Sequence, residues 1–112
     1  MQPSVAYLCL LAAIVFEVSG TLLLPASQNF TNAKATIFLV VLYGVSFYFL
    51  SIVVSFIPIA IMYATWSGLG AFTLALVSYF AFNQSLSFWS VIGLALIVIG
   101  VVLVNMNITL PK

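Results

Sequence analysis

Glu17, within "AIVFEVSGT" (residues 13–21), is the only acidic residue in a chain of 112. A charged side chain at the centre of a bilayer helix costs on the order of 3 kcal/mol or more, and such residues usually mark ion or substrate pathways. Burial away from water disfavours the charged form. A second carboxyl group from another copy of the chain adds to that penalty, and the pair would titrate as one coupled unit. The sequence holds no Arg, and its two Lys, Lys34 and Lys112, lie at the edges of apolar runs. Only a proton or a cation from outside can then neutralise Glu17. A carboxylate that accepts either can exchange one for the other, which is the minimal chemistry of a proton-coupled cation carrier. The structural alternative is a protonated Glu17 that fastens two helices through a hydrogen bond.

Helical spacing sets the neighbours of Glu17. Leu10, Ala13, Gly20, Thr21 and Leu24 lie at −7, −4, +3, +4 and +7 and share its face. Around the carboxyl group that face is small: Ala13, Gly20 and Thr21. Small residues in membrane helices allow close helix packing, and they equally leave room for a cavity with a carboxylate at its floor. Tyr7, Tyr43, Tyr63 and Trp66 fall inside apolar runs and not only at the interfacial belts where Tyr and Trp concentrate. Trp faces attract cations, most strongly when desolvated. Core filling is the structural alternative for each of these aromatics.

The elements that must position these residues follow from composition. The chain is 66% hydrophobic and 3% charged, with a mean hydropathy of +1.40, whereas soluble domains carry roughly 25% charge. It reads as an integral membrane protein. Runs such as "ATIFLVVLYGVSFYFL" are apolar on both parities, unlike the alternating strands of a membrane barrel, so the fold class is an all-α bundle. One domain with four spans is expected, over about 4–24, 35–56, 58–82 and 88–106. Pro25 ends the first, Pro58 opens the third, and Gly68 and Gly70 are candidate bending points within the third. The first apolar run is too long, and too poor in basic residues, for a cleaved signal. Four spans with short connections put both termini on one side. Lys34 and Lys112 then lie on opposite sides, leaving no charge bias to set orientation. Cys9 is the single cysteine and His is absent, so neither a disulfide within the chain nor a Cys- or His-based metal site is expected. Nothing resembles a phosphate-binding loop or a basic nucleic-acid patch. No cofactor, no enzyme activity and no nucleic-acid partner are expected.

Taken together, "FEVSGT", "YATWSGLG" and "GLALIVIGVVLVN" resemble the small multidrug resistance family of four-helix bacterial transporters. The resemblance covers essentially the whole chain and is closest to the branch that exports quaternary ammonium and other lipophilic cations. The guanidinium-exporting branch typically places a Trp soon after its glutamate, where this chain has Val18, Ser19 and Gly20. The resemblance implies an antiparallel homodimer in the bacterial inner membrane, built from four transmembrane helices per protomer. The two Glu17 carboxylates would bind either protons or one lipophilic cation. Tyr43, Tyr63 and Trp66 match chamber-lining positions, and Tyr7, Leu10, Ala13, Ser19 and Thr21 match them more loosely. Gly68–Gly70 matches a conformational hinge, and Gly93 and Gly100 match a dimerisation stripe on the fourth helix. The chain departs from the family pattern at Pro25 and Ser85, where basic residues are common, and at Gln28, where an acidic one is frequent.

Three other readings are available. A rotary-ring proteolipid also keeps one intramembrane carboxylate, but in the last helix of a hairpin. A membrane assembly protein would use Glu17 only as a fastener. One half of a heterodimeric exporter of small polar cations or betaine-like compounds would share the fold, although paired halves tend to carry opposite charge biases.

Overall fold

The computed structural model describes residues 3–106, so Lys112 of the charge comparison lies outside the described residues. The described residues form four long helices and one short one: α1 (Pro3–Leu22), α2 (Leu24–Ser27), α3 (Ala33–Val53), α4 (Ile59–Ala81) and α5 (Phe88–Asn105). All four long helices carry stretches of 18–23 residues long and apolar enough to cross a membrane. In hydrocarbon, a helix satisfies its own backbone groups, which is why so apolar a chain takes this form.

The connections are closed by local hydrogen bonds. Leu22 ends α1 because Pro25 has no N–H to give the Thr21 carbonyl and its ring crowds that carbonyl. The Leu23 N–H turns back to the Gly20 carbonyl at 3.0 Å, and Pro25 instead sits in the first turn of α2, where a missing N–H costs nothing. Glu17 is consequently about 8 Å from the end of α1. Asn32 caps α3, its Oδ1 accepting from the Ala35 N–H at 3.1 Å. Pro58 occupies the N-cap of α4, which uses only its carbonyl. Asn83, in the left-handed conformation at φ 55°, turns the chain after α4, and Ser87 Oγ caps α5 by accepting from the Ser90 N–H at 3.1 Å.

In packing order the long helices run α3, α1, α4, α5, with α1 touching both α3 and α4. The core joins Ala6, Leu10, Ala13, Ile14 and Val18 of α1 to Leu50 and Val53 of α3 and to Ile57 and Met62 around the start of α4. Small residues set the close approaches. Ser46 is fully buried and donates from Oγ to the Ala13 carbonyl at 2.6 Å, tying α3 to α1. A Cβ on Gly20 would meet the Tyr43 ring at 3.0 Å. A Cβ on Gly68 would meet Val101 Cγ2 at 2.6 Å, so Gly68 lets the Val101 side chain of α5 pack directly on α4.

The molecule is a slab of 44 × 35 × 17 Å. Its thin dimension is less than two helix diameters of roughly 10–12 Å. A slab so thin encloses no chamber by itself. Only 6% of the α5 span is buried, against 33% for α1. Gly68→Val is expected to destabilise the protein by about 1–3 kcal/mol through overpacking against α5, read as a lower Tm in detergent. Gly93→Val, at a glycine with open space around it, should leave the Tm of the isolated protomer unchanged.

Candidate functional site: an intramembrane carboxylate pocket

Three long helices converge on Glu17. From its own helix, Thr21 stands one turn on and donates from Oγ1 to Glu17 Oε1 at 2.8 Å. From α3, the Tyr43 hydroxyl lies 2.5 Å from the same Thr21 oxygen. Thr21 has one proton and gives it to the carboxylate, so Tyr43 is the donor to Thr21. The result is a directed relay, Tyr43 to Thr21 to Oε1. From α4, Gly70 brings its backbone beneath the other oxygen: a Cβ there would lie 3.0 Å from Oε2.

Beside this relay is a cavity of about 220 Å³ lined by Glu17, Tyr43, Ser46, Phe47 and Trp66. Phe47 and Trp66 also line a larger groove of about 410 Å³ between α3 and α4, together with Tyr63, Met62, Leu50 and Val54. The Trp66 ring centroid is 5.8 Å from that of Phe47 and 5.7 Å from that of Tyr63, so the three form a continuous aromatic wall. Trp66 Nε1 is buried with no hydrogen-bond partner among the described residues. A carboxylate and an aromatic wall thus border one space. That arrangement suits a cation with a large apolar body, held by one charge and by ring faces worth about 2 kcal/mol or more when desolvated.

The helices separate some residues that the sequence groups together. Leu10 and Ala13 are 2% and 0% exposed and serve helix packing. Of the small face around Glu17, Ala13 and Gly20 are therefore contacts with α3, while Thr21 holds the carboxylate. Ser19 turns its hydroxyl to the Val15 carbonyl of its own helix, at 2.8 Å. Tyr7 lies ten residues from Glu17, about 15 Å along the axis, and donates to Asn105 Oδ1 of α5 at 2.6 Å. Asn105 Nδ2 in turn donates to Thr65 Oγ1 at 2.7 Å and to the Val101 carbonyl at 2.8 Å. Tyr7 thus belongs to a polar clasp joining α1, α5 and α4, away from the carboxylate. Through Gly68 and Gly70, α4 remains a continuous helix, and a neighbouring side chain occupies the space beside each. Gly93 and Gly100 have nothing within 4 Å of an added Cβ.

Ser46, Phe47, Thr65 and Asn105 escape a reading of the sequence. Tyr43, Ser46 and Phe47 stand at i, i+3 and i+4, so the spacing that links Glu17 to Thr21 also marks them as one face. Asn105 gave a plainer signal, as an amide at the end of an apolar run.

A family model described as Small Multidrug Resistance protein matches residues 5–97. The chain belongs to the small multidrug resistance family. Its members are transporters of bacterial membranes and not enzymes, and this chain is a multi-pass membrane protein of that family. It is 41% identical over 99 residues to the quaternary ammonium compound-resistance protein QacG of Staphylococcus sp. (strain ST94), covering 88% of this chain and 92% of that one. It is 40% identical over 100 residues to QacE of Escherichia coli, a protein of the same description, covering 89% and 91%. It is also 37% identical over 100 residues to the uncharacterized membrane protein YvaE of Bacillus subtilis (strain 168), covering 89% and 82%.

The clasp and the carboxylate pocket make separable predictions for this family member. Tyr7→Phe should cost about 0.5–2 kcal/mol, the range of an interhelical hydrogen bond in a membrane, seen as a lower Tm. Cation affinity should stay within twofold of the parent, because Tyr7 lies outside the cavity that Glu17 lines. A large loss of affinity with an unchanged Tm would place Tyr7 in the binding site instead.

Proposed function

We propose that this protein is a proton-coupled antiporter that exports lipophilic and quaternary ammonium cations. The observation that carries this reading is the Glu17 carboxyl group beside a cavity walled by Tyr43, Phe47 and Trp66. The names of the quaternary ammonium resistance relatives support the substrate class. A carboxylate without a basic partner needs a proton or a cation, and an aromatic wall beside it favours an organic cation over a hydrated metal ion.

The coupling is competition. Protonation of Glu17 removes the charge that holds the cation, and loss of that proton restores it. A proton arriving from outside releases substrate outward. Its departure to the cytoplasm prepares the carboxylate for the next substrate. Alternating exposure requires two conformations whose populations the two ligands shift.

The working unit under this reading is an antiparallel homodimer. One protomer is a slab 17 Å thick whose groove-lining Tyr63 and Phe47 are 56% and 58% exposed. A second copy facing that groove would close a chamber containing two Glu17 carboxyl groups. The bare stripe of Gly93 and Gly100 on α5 is available for close helix approach. An inverted pair of identical chains reproduces the inverted repeats found within many single-chain transporters.

Binding of tetraphenylphosphonium to the purified protein should strengthen as pH rises from 5 to 9, because deprotonation frees the carboxylate. Glu17→Gln keeps hydrogen bonding but cannot titrate, and should lose both the binding and the pH dependence. Retained binding in Glu17→Gln would reduce Glu17 to a fastener between helices and sink the antiport reading. Trp66→Ala should weaken binding about tenfold or more, matching the loss of a desolvated cation–ring contact.

A further inference from the structure

We propose that the two carboxylate oxygens of Glu17 have different tasks and that Gly70 is the positioning residue that separates them. Oε1 is the anchored oxygen. Oε2, held over the bare backbone of Gly70, is the atom that takes the proton or the cation. This rests on the antiport reading for its ligands, and on the geometry of one protomer for its parts.

Oε1 already accepts the Thr21 hydroxyl, and Thr21 accepts from Tyr43. Adding a proton to Oε1 would weaken it as the acceptor of the Thr21 hydroxyl and so disturb the relay. Adding it to Oε2 leaves the relay as it stands. Oε2 accepts no hydrogen bond from the described residues, and the Glu17 side chain as a whole lines the cavity. Gly70 is what leaves this oxygen its place. A Cβ at position 70 would stand 3.0 Å from Oε2 and 3.9 Å from Cδ, with no other atom nearby. Gly68, two residues earlier and so on the opposite face of α4, is different: its missing Cβ makes room for Val101 and Ile97 of α5. The two glycines of "WSGLG" therefore serve opposite faces, one for helix contact and one for the carboxylate.

Few other groups act on this site. On α1 its polar neighbour is Thr21, on α3 the titratable group is Tyr43, and α4 presents Trp66 and Gly70, neither of them titratable. Lys34 lies in the first turn of α3, nine residues before Tyr43.

The atom in the way of a residue-70 methyl is the far end of a flexible side chain, so Gly70→Ala should fold. The displaced carboxylate should then bind tetraphenylphosphonium about tenfold more weakly. The added methyl also crowds the carboxylate, so the pH dependence of binding should change with it. Gly44→Ala, on an open face of α3, is the control and should change neither. Because Glu17 is the only acidic residue, its carboxyl infrared band, isolated by difference from Glu17→Gln, reports its protonation directly, whether or not a cation binds. The pH profile of that band should differ between Gly70→Ala and the parent. In a Glu17→Asp background, where the carboxylate is one methylene shorter, Gly70→Ala should shift the band far less.

An unchanged band midpoint in Gly70→Ala would overturn the assignment, as would equal shifts in both backgrounds. Loss of transport with parental binding and parental titration would make Gly70 a bend in α4 and not a seat for Oε2. A parent protein that binds no cation while Gly70→Ala still moves the carboxyl band would sink the antiport reading and leave the role of Gly70 standing.

Discussion

Helices in a bilayer gain nothing from hiding apolar surface against each other, since lipid is as apolar as a leucine. They associate through close packing and polar contacts. This constraint shapes every contact described above. Ala13 and Ser46 let α1 and α3 touch, Gly20 admits the Tyr43 ring, and Gly68 admits Val101. The carboxylate depends on the same closeness. Thr21 and Tyr43 reach each other at 2.5 Å because Gly20, adjacent to Thr21, lets α3 come near. Gly70 reaches Oε2 only because α4 packs directly on α1.

The polar groups within the span fall into two sets. Tyr7, Asn105 and Thr65 satisfy one another and join three helices. Glu17, Thr21 and Tyr43 form a second set that stays incomplete among the described residues, with Oε2 accepting no hydrogen bond; Trp66 Nε1, on a residue lining the same cavity, also has no partner there. A closed set of hydrogen bonds adds stability and specifies packing. An open set leaves polar groups without partners inside an apolar surround, at a cost in stability.

The slab form of the protomer follows from the same economy of contacts. α5 packs along α4, meets α1 through the Tyr7–Asn105 hydrogen bond, and keeps most of its surface bare. The aromatic wall of Phe47, Tyr63 and Trp66 opens outward. Lipid satisfies the apolar part of such a surface, and one protomer contributes only a wall.

Much of this is legible in the residues alone. Four apolar runs separated by short polar stretches dictate four spanning helices, because the bilayer sets both length and backbone form. One carboxyl group with no basic partner dictates its chemistry, and i, i+4 spacing pairs it with Thr21. The family is written in "FEVSGT" and "YATWSGLG", and residues 5–97 match its model. Only the packed helices decided that Ala13 and Leu10 fill the core while Ser46 and Phe47 border the cavity. They also decided that Tyr7 pairs with Asn105, 98 positions away, and that Gly70 stands under Glu17. The reason is physical. Hydropathy and helical period act within one segment, whereas the partner of a glycine or a hydroxyl is set by how whole helices rotate and approach, which no single segment specifies.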